Sequence, residues 1–210
     1  MSAFVAAAAI AGALAVPADS ATVLASLEQA GRSMRTMKAA FVEVKVNVVL
    51  DEKQESRGTV VLQVPGRFRW NYVSPQESVM LVKDGRFARY IPKSKQVFRG
   101  PAKGEADLLV GFGPGAVGLG QKYDVRLQGD EAVGRAPAWV LDLQPRPGQA
   151  GLFTGIRLWV DKARHVPVQT RLTEPTGDNT TIRFEDVVLN GALPGNAFDL
   201  QLPKDVVEVQ

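Results

Sequence analysis

Between Gly58 and Gly85 hydrophobic and polar residues alternate along the chain. Val60, Leu62 and Val64, followed by Phe68, Trp70 and Tyr72, fall on one side; Thr59, Gln63, Arg67, Arg69 and Asn71 fall on the other. Strict alternation of this kind marks antiparallel strands buried on one face. Upstream, Val42, Val44, Val46 and Val48 alternate with Glu43, Lys45 and Asn47, which predicts a first long strand, and Asp51 to Glu55 read as a charged turn. Further strands are predicted near 57–64, 67–73, 78–83, 86–91 and 95–99, then 123–128, 137–143, 155–161, 166–173, 180–189 and 198–202. Pro65-Gly66, Asp84-Gly85 and Asn190-Gly191 supply turn dipeptides between them. So many short strands without strand–helix–strand alternation predict a mainly β (α+β) fold built on one large, strongly curved antiparallel sheet or barrel.

Two segments break the alternation. From Asp19 to Lys38, Val23, Leu27, Ala30, Met34 and Met37 recur at helical spacing, so a helix is expected there with Asp19 or Ser20 as its N-cap. Residues 100–122 form an insertion in which Ala102 to Val110 reads as a short helix carrying Leu108 and Leu109. It is followed by Phe112 in a run, Gly111 to Gly120, with five glycines in ten residues. So much glycine disfavours a long rigid helix, and a long apolar insertion in a sheet protein reads as a lid. Such a lid over an open space would exchange its amide hydrogens quickly without ligand and more slowly with it.

Composition narrows the functional classes. The chain has 210 residues, a net charge of +3 and no cysteine. Residues 19–210 are expected to form a single domain. Disulfides, Cys-based metal sites and a Cys nucleophile are excluded. Ala3 to Val16 is a short run of small apolar residues ending in Val16-Pro17-Ala18. It reads as the core and cleavage site of a secretory signal over residues 1–18 and is too short for an ordinary membrane span. His165 is the lone histidine and is expected in an exposed turn; no serine motif accompanies it, and neighbouring carboxylates on a strand point to opposite faces. The chain is therefore not expected to be an enzyme, to hold a metal or to need a cofactor. Nucleic-acid binding is disfavoured because the aromatic and basic residues occupy opposite faces of the strands.

The order of these signals resembles the LolA-type periplasmic lipoprotein carriers. The resemblance rests on the Gly58-opened strand, Pro65-Gly66, Phe68-Arg69-Trp70, Pro75 and Asp84-Gly85. It continues through Leu158-Trp159-Val160-Asp161, Val166-Pro167-Val168, Gly177 to Phe184, and Phe198 to Val209. It implies a curved, incompletely closed antiparallel β-barrel with helices covering a concave apolar face. Val60, Leu62, Phe68, Trp70, Leu158, Ile182 and Phe184 would then line a lipid cavity. Val23, Leu27, Met34, Met37, Leu108, Leu109 and Phe112 would form its lid. The implied function is carriage of lipoprotein acyl chains through the periplasm from the inner to the outer membrane. The implied partners are an inner-membrane lipoprotein-releasing ABC transporter and, where present, an outer-membrane receptor, the carrier itself being monomeric. An envelope-stress sensor or regulatory lipid-binding module of the same fold is the alternative. Two positions depart from the pattern: Val64 stands where many members carry an Arg that helps to hold the lid closed, and Arg86 to Tyr90 replaces a Leu-Trp pair.

Overall fold

The computed structural model describes residues 19–102, 104, 108–149 and 151–209; the expected signal segment, residues 1–18, lies outside them. Helix α1 (Ser20–Ser33) leads into β1 (Thr36–Asn47), β2 (Glu52–Gln63), β3 (Arg67–Ser74), β4 (Ser78–Lys83), β5 (Arg86–Ile91) and β6 (Gln96–Pro101). The insertion follows and ends in α2 (Leu119–Lys122). Then come β7 (Tyr123–Val133), β8 (Ala136–Pro145), β9 (Gly155–Asp161), β10 (Pro167–Thr173), β11 (Asn179–Leu189) and β12 (Val207–Val209). All twelve strands belong to one open, curved sheet in the order β12-β6-β5-β4-β3-β2-β1-β11-β10-β9-β8-β7. The edge strands β12 and β7 do not meet, so the barrel is left open. Neighbours are antiparallel except β12, which runs parallel to β6 from Val207 opposite Gln96. The last strand therefore lies at 207–209; the expected one near 198–202 is a loop.

The N-terminal helix is shorter than its apolar spacing predicts. Asp19 caps it by accepting a hydrogen bond from Thr22 N at 2.7 Å, and it ends at Ser33, with Met34 already extended at φ −70°, ψ 128°. Met34 and Met37 thus leave the helical stripe: Met34 is the C-cap and Met37 belongs to β1. Both are buried all the same, because the chain reverses directly onto the concave face and packs them beside Val60 and Leu62. The same early start sets the phase of β1. Met37, Ala39, Phe41 and Glu43 are its buried residues, while Val42, Val44 and Val46 are half-buried on the convex side. Alternation over 42–48 alone suggested the valine face as the apolar one; Phe41, just upstream, decides the matter.

Gly58 opens the alternating segment for a steric reason. A Cβ there would stand 1.9 Å from Asn71 O and 2.9 Å from Phe41 Cε1, so only glycine lets the Phe41 ring and β3 approach β2. The ring then meets Trp70 edge-on at 4.7 Å and Tyr72 at 5.1 Å. On the convex side, Arg69 donates to Asp199 O at 3.0 Å and Lys83 pairs with Asp199 at 3.2 Å, which straps the segment around Phe198 across the outer surface. Burial lowers the pKa of the Arg69 guanidinium, against the opposing attraction of Asp199. These basic residues are occupied within the chain.

Candidate functional site

The concave surface is two regions in one. Its deeper part is apolar: Val60, Leu62, Phe68, Trp70, Leu158, Ile182 and Phe184 project from β2, β3, β9 and β11, and each is at most 5% exposed. Six of these seven pack in one cluster, while Leu158 belongs to the neighbouring one with Leu141 and Leu172. No open space is left above them among the described residues, because α1 and the insertion cover the floor with their own side chains. Val23 and Leu27 of α1 pack with Leu119, Leu141 and Leu158. Leu109 and Phe112 of the insertion pack with Met34, Trp70 and Phe184, and the rings of Phe112 and Phe184 meet edge-on at 4.9 Å.

The helix expected over 102–110 falls partly outside the described residues, which leave out 103 and 105–107; from Leu108 onward the insertion is a chain of tight turns. Phe112 N donates to Leu109 O at 3.0 Å, Gly115 N to Phe112 O at 2.9 Å, and Val117 N to Pro114 O at 3.2 Å. The turns dock on α1 through Gly31, where a Cβ would fall 2.6 Å from both Ala116 Cβ and Gly113 O. Gly118 N donates to Glu28 at 3.1 Å, a second tie between helix and insertion. Val64, at the position of the family Arg, lies against Gly113: a Cβ built on that glycine would be 3.1 Å from Val64 Cγ2. The contact there is apolar instead of hydrogen-bonded.

Among the described residues, the packing leaves two polar atoms buried without a hydrogen-bond partner, Trp70 Nε1 on the floor and Thr170 Oγ1 on β10. An orphaned buried group costs about 1–3 kcal/mol. The floor therefore carries polar capacity that its own lid does not satisfy.

The second region is a cleft of about 340 Å³ at the end of the concave surface where β1 turns into β2. Glu43, Ser56, Tyr72, Met80 and Thr180 line it from the sheet, Phe153 from the loop before β9, and Leu108 where the insertion begins. Glu43 is 3% exposed. Its carboxylate accepts from Tyr72 Oη at 3.2 Å and has Lys45 Nζ at 3.7 Å. Burial, together with the Glu43 charge and hydrogen bond, pushes the Tyr72 phenol well above its ordinary pKa, so it remains a neutral donor. Reading the sequence for sites missed this group, because the assumed phase of β1 turned Glu43 outward. The signal was present in Met37, Ala39 and Phe41, whose face continues into Glu43.

Other candidates for chemistry are structural. His165 is half-buried rather than exposed and stacks on Trp139 with ring centres 5.8 Å apart. The Asp161 carboxylate accepts from Ala163 N, Arg164 N and the Arg164 guanidinium at 2.8–3.2 Å. Burial raises its pKa, but those donors and the Arg164 charge outweigh it, and the net shift is downward. Glu131 lies in β7 and accepts from Trp159 Nε1 at 2.7 Å. Among the described residues no group of His, Asp and Glu is arranged to hold a metal ion.

Residues 32–201 match the sequence profile of the outer membrane lipoprotein carrier protein LolA. The chain belongs to the LolA family. An outer-membrane lipoprotein carrier protein of Chromobacterium violaceum is 30% identical over 201 residues, 95% of this chain and 93% of that relative. One from Dechloromonas aromatica is 29% identical over 176 residues, 82% and 80% of the two chains. Among solved structures, an uncharacterised conserved protein of Thermus thermophilus superposes with a TM-score of 0.58 at 16% identity, covering 89% of this chain and 96% of that one. MucB, in its complex with MucA from Pseudomonas aeruginosa, gives 0.54 at 21% identity over 88% of this chain and 62% of that one. These two likenesses concern the fold alone. The LolA profile spans the floor, the insertion and the cleft, so the whole concave surface belongs to the family's domain.

Proposed function

We propose that this protein is a periplasmic carrier that takes up the acyl chains of lipoproteins on its concave face and moves them from the inner to the outer membrane. The carrying observation is an apolar floor of sheet residues covered by a separate, glycine-jointed insertion. Such a cover can be replaced by an equally apolar ligand without exposing the floor to water. Each acyl CH₂ taken from water contributes about 0.8 kcal/mol. That gain offsets removal of Leu109 and Phe112, and a polar linkage in the ligand would supply the partners that Trp70 and Thr170 lack. The work is binding and release, with no bond made or broken. Cargo is received from an inner-membrane lipoprotein-releasing transporter and passed to an outer-membrane acceptor, with the carrier acting as a monomer after loss of its leader. The names of the relatives favour this reading over a regulatory lipid-binding module of the same fold.

Titration of the purified protein with a synthetic tripalmitoylated cysteinyl peptide, followed by tryptophan fluorescence, tests the reading. Saturable binding of one lipopeptide per chain, with a change in emission as the surroundings of Trp70 are remade, is expected. Absence of saturable binding by any acylated peptide would remove the carrier reading.

A further inference from the structure

The cleft places an unusual group where an acyl ligand's chains end. Working outward from the apolar floor along β3, the sequence of side chains on the concave face is Phe68, Trp70, then Tyr72. Tyr72 hydrogen-bonds Glu43 at 3.2 Å, and the cleft begins there. The first polar layer beyond the hydrocarbon region is therefore a buried carboxylate with a phenol, flanked by the Ser56 and Thr180 hydroxyls. A carboxylate is acceptor-only and has room for about four hydrogen bonds. The Tyr72 donor occupies Oε2, while the Lys45 ammonium stands 3.7 Å from Oε1, outside hydrogen-bond range, on a side chain 59% exposed. Among the described residues, acceptor capacity is thus left over in a nearly closed place. Lys45 and the exposed Arg89 line the same cleft from its solvent side, as does Glu174. One step deeper, Trp70 Nε1 is a buried donor without an acceptor. It lies beside Tyr72, the two rings stacked at 6.4 Å, and its strand partner Met80 lines the cleft.

We propose that this cleft reads the junction between acyl chains and headgroup: Glu43 accepts an amide N–H of an acylated peptide, Trp70 donates to a neighbouring amide or ester carbonyl, and the carboxylate turns away the phosphate of a bilayer phospholipid. The ligand class is an amphiphile whose chains are joined to its polar part through an uncharged, N–H-bearing linkage. The inference rests on the carrier reading and adds a selectivity to it. Apolar walls cannot tell a lipoprotein's chains from those of the surrounding phospholipid, because the hydrocarbon is the same; discrimination has to come from the first polar layer. A carboxylate there meets a phosphate at close range in a site of low dielectric, where like-charge repulsion is strong.

The test is competition for a fluorescent acyl probe by two ligands with matched palmitoyl chains, tripalmitoylated cysteinyl peptide and dipalmitoyl phosphatidylglycerol. It uses the wild-type protein and the Glu43→Gln variant, which keeps an acceptor for Tyr72. Wild type should prefer the lipopeptide by about tenfold or more, and Glu43→Gln should collapse that preference to about threefold or less. The collapse should come mainly through tighter phosphatidylglycerol binding, since Lys45 and Arg89 are then opposed only by Glu174 at the solvent side. Equal displacement of the probe by both ligands in wild type, or an unchanged preference in folded Glu43→Gln, would overturn the inference while leaving the carrier reading standing. Failure of wild type to bind the probe or either ligand would overturn the carrier reading and the inference with it. Should the variant not fold by circular dichroism, the wild-type preference decides alone.

Discussion

The floor and the cleft share one concave surface, yet they are built on opposite terms. The floor is apolar, at most 5% exposed at its seven wall residues, and filled by α1 and the insertion. The cleft is lined by polar and apolar groups alike, Glu43, Ser56 and Tyr72 beside Met80, Leu108 and Phe153, holds about 340 Å³ of space and is already formed. The difference teaches that the floor is filled by the protein itself, so under the carrier reading proposed above a ligand has to displace part of it. Hydrocarbon left facing water would cost about 25 cal/mol per Å², so an empty apolar cavity is avoided by letting the lid fill it. A cleft that carries a carboxylate and hydroxyls offers water hydrogen-bond partners and can stand open and hydrated.

The sharpest contrast should appear in stability. Truncating the floor at Phe41→Ala or Trp70→Ala should destabilise the fold by about 3–5 kcal/mol in urea unfolding, through lost burial and the cavity left behind. Ser56→Ala in the cleft should cost under about 1 kcal/mol, because no comparable packing is lost. A floor substitution as mild as the cleft one would mean that the lid side chains readily refill the gap.

Next in size is the joint between lid and helix. Gly31→Val places a side chain where Ala116 and Gly113 O already lie 2.6 Å from the Cβ position. Overpacking there should cost about 1–3 kcal/mol and should loosen residues 113–119 specifically. Unfolding of the whole domain with no selective change in the insertion would break the view of the lid as a separable part.

An acid titration separates both regions from the far side of the sheet. Asp161 has a folded pKa below the unfolded value of about 3.9. Its contribution is therefore complete above that value and is lost as pH falls through the folded pKa. Asp161→Asn should lower stability at neutral pH by about 1–3 kcal/mol and flatten the acid limb of the stability curve, without altering ligand preference. The smallest effect is expected at the tip of the β1–β2 hairpin. Val49 and Leu50 are 82% and 63% exposed, so Val49→Ser and Leu50→Ser should each change stability by about 0.5 kcal/mol or less.

Much of the fold was legible because strand alternation and turn dipeptides are local signals. Eleven of the strands, β1 to β11, overlap the segments that alternation, Pro65-Gly66, Asp84-Gly85 and Asn190-Gly191 set, and Phe68, Trp70, Ile182 and Phe184 fall on the predicted face. What was not legible depended on contacts distant in sequence. Met34 and Met37 continue a helical spacing, yet the chain leaves the helix at Met34 to pair β1 with β2 and β11. The phase of β1 is decided by Phe41 filling the space above Gly58, which no window over 42–48 contains. β12 has only three residues and gains its place by pairing with β6. The glycine-rich insertion suggested a loose lid over empty space; its apolar residues instead complete the core beside those of α1.

That last difference reverses the sign expected for hydrogen exchange, and it offers the most direct measurement of the central claim. In the closed form the amides of Phe112, Gly115 and Val117 are bonded within the insertion and should be protected. Saturation with tripalmitoylated cysteinyl peptide should speed their exchange by about tenfold or more as the ligand's chains take the place of Leu109 and Phe112 on the floor. Amides of β2 and β11 beneath should stay protected. Exchange in residues 108–120 that is unchanged or slower with the lipopeptide bound one to one would contradict displacement of the lid and place the ligand somewhere other than the concave floor.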